Sequence, residues 1–281
     1  MARDGDCVRL VRDSASGVEA IRARFGGHAY DLHRHDDWLV GVTDHGVQDF
    51  FCRGTRRRST ADRVILIEPQ EAHDGEAGDT DGFAYTMLYL PRAWLLRALE
   101  RDTDAAVGFR ATLADDARLG TAIRTAFVAL THASPRLVRD AALDAVVARL
   151  AQLLGPCTRE ISRSANAIVA RRARERLLDR LDDDVGADEL AIEAGAANRF
   201  QLARAFRAEY GVAPHAWQVQ MRLMRAREML ARGARPAAVA ADCGFADQSH
   251  LGRWFKRAYG VSPAAYRVGC TGVPDPDVAF G

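Results

Sequence analysis

Residues 191–217, AIEAGAANRFQLARAFRAEYGVAPHAW, and residues 240–266, AADCGFADQSHLGRWFKRAYGVSPAAY, are two versions of one segment set 49 positions apart. Ala191, Gly195, Ala197, Leu202, Arg204, Phe206, Tyr210, Gly211, Val212, Pro214 and Ala216 fall on identical residues at Ala240, Gly244, Ala246, Leu251, Arg253, Phe255, Tyr259, Gly260, Val261, Pro263 and Ala265. A duplication of this kind constrains a fold strongly, because both copies must close the same supersecondary unit. Each copy reads as a short helix (Asp188 to Ala194, Pro236 to Cys243), a tight turn, a second helix and a stop. Gly195 and Gly244 end the first helices where the chain needs positive φ, and Asn198 and Asp247 stand three residues later as N-caps. The second helices run to Tyr210 and Tyr259, where Gly211 and Gly260 end them before Pro214 and Pro263 open new ones.

Within the second helices Leu202/Phe206 and Leu251/Phe255 stand at i and i+4, an apolar stripe that must face inward. The opposite stripe carries Phe200, Ala203, Arg204 and Arg207 in one copy and Ser249, Gly252, Arg253 and Lys256 in the other. Two helices across a short turn, with a basic outer stripe on the second, suit the major groove of DNA. Residues 214–232 form one helical stretch in which Trp217, Met221, Met224 and Leu230 alternate with Arg222, Arg225 and Arg227. Its length, about 28 Å at ~1.5 Å per residue, approaches the ~34 Å between groove faces on one side of B-DNA. Charge agrees: residues 158–267 hold 19 Lys+Arg against 13 Asp+Glu, and the rest of the chain holds 20 against 25. A basic module joined to an acidic one is expected when only one half meets phosphates.

The C-terminal residues resemble the DNA-binding domain of the AraC/XylS-type transcriptional regulators, over roughly Ala167 to Arg267. Gly244-Phe245-Ala246-Asp247-Gln248-Ser249-His250-Leu251-Gly252-Arg253-Trp254-Phe255-Lys256, followed by Tyr259-Gly260-Val261-Ser262-Pro263, carries the most specific part. The first copy departs more, with Asn198 where serine is common and Ala205 where a larger apolar residue is usual. The resemblance implies base reading by Phe200, Ala203 and Arg204 in the first recognition helix and by Gln248, Ser249, His250 and Arg253 in the second. Chemistry supports these types: Arg pairs with guanine O6/N7, Gln with adenine, and Phe or Ala touches a thymine methyl. Arg207, Lys256 and Arg257 lie further along and suit phosphates, which position without specifying.

From Phe25 to Leu90 the pattern changes to short β-like runs. Short apolar runs at Trp38 to Thr43, Val47 to Arg53, Arg63 to Ile67 and Phe83 to Leu90 are separated by turn formers, including Thr43-Asp44-His45-Gly46 and Glu68-Pro69. This predicts a small sandwich or barrel, followed from Arg92 by helices, the clearest over residues 140–154. His33-Arg34-His35-Asp36, Gly41-Val42, Gly46-Val47-Gln48, Pro69 to Gly75 and Met87-Leu88-Tyr89-Leu90-Pro91 resemble the cupin-like ligand-binding domain of the same family. Thr60-Ala61-Asp62 departs from its usual Pro-Gly-Asp turn.

The expected architecture is α+β. An N-terminal cupin-like β-barrel with flanking helices spans residues 1–155, a linker 156–166, an all-α domain with two helix-turn-helix units joined by a long helix 167–267, and a disordered tail 268–281. Candidate effector-lining residues are His35, Trp38, Arg53, His73 and Tyr85. His33, His35 and His73 have spacings similar to metal-binding cupins, but Leu39 stands where those place a glutamate, so the histidines are read as packing or effector contacts and no metal or other cofactor is assigned. Neither a nucleophile, a general acid nor a phosphate loop stands out. The five cysteines, Cys7, Cys52, Cys157, Cys243 and Cys270, are scattered and show no CxxC pairing, which argues against a disulfide framework or zinc module. No run reaches the ~18 apolar residues of a membrane helix, and the first residues lack a secretory signal, so a cytoplasmic protein is expected. The resemblance implies an effector-controlled regulator, an activator more than a repressor, with promoter DNA, RNA polymerase and a second copy of the chain as partners. The alternative is a metal-dependent cupin enzyme with an appended DNA-binding domain; a constitutive architectural DNA binder is a third reading.

Overall fold

The computed structural model describes residues 6–101, 107–132, 134–156 and 164–272. Most of the expected linker, and residues 273–281 of the expected tail, lie outside the described residues. The chain divides into two compact units, one of residues 1–158 with 256–281, the other of residues 159–255.

The first unit begins with β1 (Cys7–Arg12), β2 (Glu19–Phe25), β3 (His28–His33), β4 (Trp38–Cys52), β5 (Thr55–Thr60), β6 (Val64–Ile67), β7 (His73–Ala77) and β8 (Phe83–Leu90). Then come α1 (Arg92–Ala98), β9 (Val107–Phe109), β10 (Leu113–Ala114), α2 (Ala117–Thr131), α3 (Arg136–Leu153) and β11 (Leu154–Pro156). The main sheet runs β1-β2-β8-β4-β6-β10, with β3, β5 and β7 joined off this path. The expected cupin-like β domain with flanking helices is present, as a sheet that bends at β4 without closing among the described residues: its main path ends on β1 and β10.

The bend comes from β4. Its first half pairs with β6 and β8, its second with β5 and β7. The sequence predicts a turn at Thr43-Asp44-His45-Gly46, yet the strand continues through it across a bulge, where the register to β8 shifts between Thr43 and His45. Gly46, at φ 71°, takes the left-handed conformation such a bulge uses. One extra residue flips the inward parity. Leu39 faces the same core as Phe50 and Cys52, whereas Trp38, Val40 and Val42 face another.

That second core lies between the sheet and the helices. Leu119, Ile123, Phe127 and Leu130 of α2 and Leu143, Val146, Val147 and Leu150 of α3 pack there with Trp38, Leu88 and Leu90. Each such side chain contributes about 1.5–3 kcal/mol on burial. The apolar stripe of α3 is thus consumed by its own chain.

The segment following residue 255 adds α10 (Pro263–Thr271), capped by the Ser262 hydroxyl and packed on β1. It extends past the expected end at Arg267, because Gly272 at φ 68° supplies the stop. Tyr266 donates from its hydroxyl to Glu19 Oε1 at 2.6 Å.

The second unit holds α4 (Ala165–Asp179), α5 (Ala187–Ala194), α6 (Arg199–Tyr210), α7 (Pro214–Ala231), α8 (Pro236–Asp242) and most of α9 (Gln248–Tyr259). The duplicated signals act as expected. Asn198 accepts from the Phe200 and Gln201 amides, Asp247 accepts from His250 N at 2.6 Å, and Gly195 and Gly211 cap α5 and α6 in the left-handed region. Val169, Ala173, Leu177, Leu190, Leu202, Phe206 and Trp217 form the core of the first helix-turn-helix. No helix among the described residues is long and apolar enough to cross a membrane.

Candidate functional site

Burial sorts the expected groove contacts. Along α6 and α9, Leu202, Phe206, Leu251 and Phe255 are buried, while Phe200, Arg204, Arg207, Gln248, Ser249, Arg253 and Lys256 are exposed and Ala203 is half-buried. Phe200 is 62% exposed, with the Arg199 guanidinium 5.1 Å from its ring centre. A large aromatic left in water on the outer stripe of a basic helix suits a partner surface.

His250 behaves differently from its neighbours. Trp254 Nε1 donates to its Nε2 at 2.8 Å, and the Ala246 amide approaches its Nδ1 at 3.4 Å. A neutral imidazole has one acceptor nitrogen, so these two bonds alternate, with the shorter one favoured. The repeat explains the arrangement. His250 corresponds to Gln201, whose Oε1 accepts from the Ala197 amide at 2.7 Å, so both side chains reach back to the turn before their own helix, much as in a capping box.

Arg222 of α7 fixes the second turn. It donates to the carbonyls of Leu181 at 2.7 Å, Gly244 at 2.6 Å and Asp183 at 2.8 Å. Burial lowers its pKa but leaves it charged. Gly244 admits no side chain there: a Cβ would lie 2.6 Å from the Asp182 carbonyl oxygen.

In the first unit, a cavity of about 30 Å³ is lined by Tyr30, His33, Gln48, His73, Asp74, Tyr85 and Tyr89, together with apolar side chains of β4, β6 and β8. His33, His35 and His73 are all buried, and one ring nitrogen from each lies within 4.8 Å of the others. His33 Nδ1 bonds the Asp31 carbonyl at 2.7 Å and His73 Nδ1 the Glu71 carbonyl at 2.9 Å. A carbonyl only accepts, so both Nδ1 atoms carry the hydrogen, and in the neutral ring Nε2 is then the acceptor. His33 Nε2 lies 2.9 Å from His35 Nε2. Burial drives the His73 pKa down to about 4, which keeps the ring neutral at physiological pH, and burial also keeps the Tyr85 phenol protonated.

Family models match both halves: an AraC-like ligand binding domain over residues 16–154 and a helix-turn-helix domain over residues 190–268. The chain belongs to the AraC-type family of transcriptional regulators. Among solved structures, fatty-acid-bound ToxT from Vibrio cholerae is similar at 13% identity and a TM-score of 0.53, covering 98% of this chain and 99% of its own. ToxT bound to (E)-4-(8-methylnaphthalen-1-yl)but-3-enoic acid gives 11% identity and 0.55, over 95% and 99%. The DNA-binding domain of AdpA, solved with a target DNA, shares 31% identity over 35% of this chain and 89% of its own, with a TM-score of 0.34. No curated protein matches the sequence. The chain is thus an effector-controlled, DNA-binding regulator built from these two domains.

Within this AraC-type regulator, the expected effector residues separate. His73 and Tyr85 line the cavity, and His35 joins it through the imidazole cluster. Trp38 does not reach it: its ring packs on Phe109 at 5.1 Å in the helix-side core, since the bulge in β4 reverses the parity. Arg53 does not reach it either. Its Nε donates to Glu71 at 2.6 Å, Nη2 to Glu68 at 2.5 Å and Nη1 to the Phe109 carbonyl at 2.8 Å. Sequence reasoning missed Tyr30, Gln48 and Tyr89 in the cavity wall and Tyr259, whose ring packs 5.6 Å from His33 and 5.4 Å from His35. The repeat could have flagged Tyr259 only as the helix-ending partner of Tyr210.

Proposed function

We propose that the protein reads promoter DNA through α6 and α9 and that occupancy of the N-terminal cavity changes this binding, with activation as the outcome. The observation that carries the reading is the repeated outer stripe: Arg204 and Arg253 occupy equivalent places and are both exposed, above equivalent buried Leu–Phe pairs. Phe200, Ala203, Arg204, Gln248, Ser249 and Arg253 contact bases, while Arg207 and Lys256 contact phosphates. His250 contributes by shaping the turn ahead of α9. RNA polymerase and a second copy of this chain are the protein partners. For the second copy, Leu137 and Val138 at the start of α3 are 80% and 51% exposed and offer an apolar contact. The protein acts in the cytoplasm as a binding protein, not an enzyme: its neutral His73 and protonated Tyr85 suit ligand contact more than proton transfer.

The test is DNA affinity across salt concentrations and operator variants. Arg253→Ala is expected to cost ~1–3 kcal/mol and to relax preference at one base pair, because a bidentate base contact is lost. Lys256→Ala is expected to weaken all sequences alike and to reduce the salt slope by about one. Unchanged base preference in Arg253→Ala would remove α9 as the reading helix.

A further inference from the structure

We infer that His33, His35 and His73 form a binding site for one divalent transition-metal ion of the zinc class, facing the N-terminal cavity. The inference rests first on convergence: three buried imidazoles from separate positions bring one nitrogen each within 4.8 Å of the others. It rests next on orientation. His33 and His73 donate their Nδ1 hydrogens to the Asp31 and Glu71 carbonyls, which fixes the ring planes and makes Nε2 the ligand atom of each, the outer-sphere arrangement that metal-bound histidines use. With the His33 ring neutral, the 2.9 Å contact has His35 Nε2 donating to His33 Nε2, and that bridging hydrogen occupies the place a metal would take. Metal entry replaces it, with His35 adopting its Nδ1–H tautomer. Ligand atoms about 2.0–2.1 Å from zinc then need only sub-ångström ring shifts.

Donor chemistry selects the ion. Three neutral nitrogens with no carboxylate in the group suit zinc, cobalt, nickel or copper and disfavour calcium and magnesium, which want oxygen. Space selects it as well. A cavity of about 30 Å³ admits a few waters, since a single water needs about 10–15 Å³ by the same measure, so an ion with a bound water fits it as it stands. Three protein ligands leave a fourth position open toward that space.

The regulatory part rests on the function proposed above. The Tyr259 ring lies against His33 and His35, and Tyr259 is the last residue of α9, the helix that carries Arg253. Arg257 Nε also donates to Asp31 Oδ2 at 2.5 Å, on the residue whose carbonyl orients His33. A metal that pulls His33 and His35 together therefore acts on the surface where the end of α9 rests.

The full-length protein, stripped with a chelator, is titrated with zinc against a chromophoric competitor and with cobalt while its visible spectrum is recorded. One equivalent is expected, with cobalt ligand-field bands and no thiolate charge-transfer band. His33→Gln, His35→Gln and His73→Gln, each checked for folding by near-ultraviolet circular dichroism, are expected to weaken binding by at least ~10–100-fold. Lack of stoichiometric uptake by the wild type overturns the site, as does a thiolate band or equal uptake by the folded variants. DNA affinity is then measured with and without zinc, and a change of about 5–150-fold is expected. Arg253→Ala separates the two readings: it retains the metal while losing base preference. Zinc bound without any change in DNA affinity keeps the site and removes its regulatory role.

Discussion

Gly46→Ala is expected to destabilise the N-terminal unit by about 3–5 kcal/mol, with a lower Tm and a lower denaturation midpoint in urea. Two costs combine. Gly46 sits at φ 71°, where a residue bearing Cβ is strained by ~1–3 kcal/mol. The added Cβ would also lie 2.0 Å from the Gly82 carbonyl oxygen, a backbone atom with no rotamer through which to escape. Gly82 is itself at φ 74° and closely backed by the Phe25–Gly26 backbone, where even an added Cβ would lie 2.3 Å from the Phe25 carbonyl oxygen. Relieving such overpacking typically costs a further ~1–3 kcal/mol. Gly46→Asn divides the two contributions. Asn tolerates positive φ, so a variant as stable as wild type would mean that strain alone matters and that β8 can move aside; a deficit close to that of Ala would mean that the contact dominates. The second result is expected, and a wild-type Tm in both variants would remove the bulge as the feature that bends the sheet.

That bulge marks the limit of what the residues disclose by themselves. The C-terminal elements were legible nearly to the residue, because both copies state their caps, stops and inward pairs, and because each helix is fixed by contacts within its own unit. Asn198 and Asp247 cap as read, and Leu202, Phe206, Leu251 and Phe255 are buried as read. In the N-terminal half the existence of strands was legible from short apolar runs set between turn formers, but Thr43-Asp44-His45-Gly46 has the composition of a turn and of a bulge alike. Only pairing with β8 decides between them, and that pairing is long-range. The error propagates through parity: Trp38 moves to the helix-side core, while Gln48, two residues past the bulge, enters the cavity wall. Spacing grouped His33, His35 and His73 by similarity to metal-binding cupins, but the meeting itself is made by the β3–β7 and β4–β7 pairings. His250 shows a subtler limit, since its outward position on the helix was legible while its bond to Trp254 was not.

Arg53→Met is expected to lower stability by roughly 3 kcal/mol, and it tests whether this arginine serves the fold or a ligand. Arg53 and Gly54 are the two central residues of the β4–β5 hairpin, at φ 52° and 74°, because Cys52 pairs directly with Thr55. A type I′ turn demands those signs, so a non-glycine residue at its first position is strained. Its side chain offsets that strain. Burial by itself disfavours the guanidinium, but the bonds and charges of Glu71 and Glu68 reverse the shift and hold it firmly protonated. The two carboxylates depend on it in turn. Both are buried; Glu68 also accepts from the Phe109 amide at 2.7 Å, and Glu71 from the Glu68 amide at 2.9 Å, so the network ties the hairpin to β9 and to the loop before β7. Removing the cation leaves two buried negative charges without their counter-charge. Arg53→Gly relieves the turn strain and is expected to be more stable than Arg53→Met by up to ~1 kcal/mol while remaining below wild type. Arg53→Lys retains charge but cannot form the fork to three acceptors, so it recovers only part of the loss. Were all three variants to melt with the wild type and differ only in ligand response, Arg53 would be an effector contact, and the buried network would carry no stability.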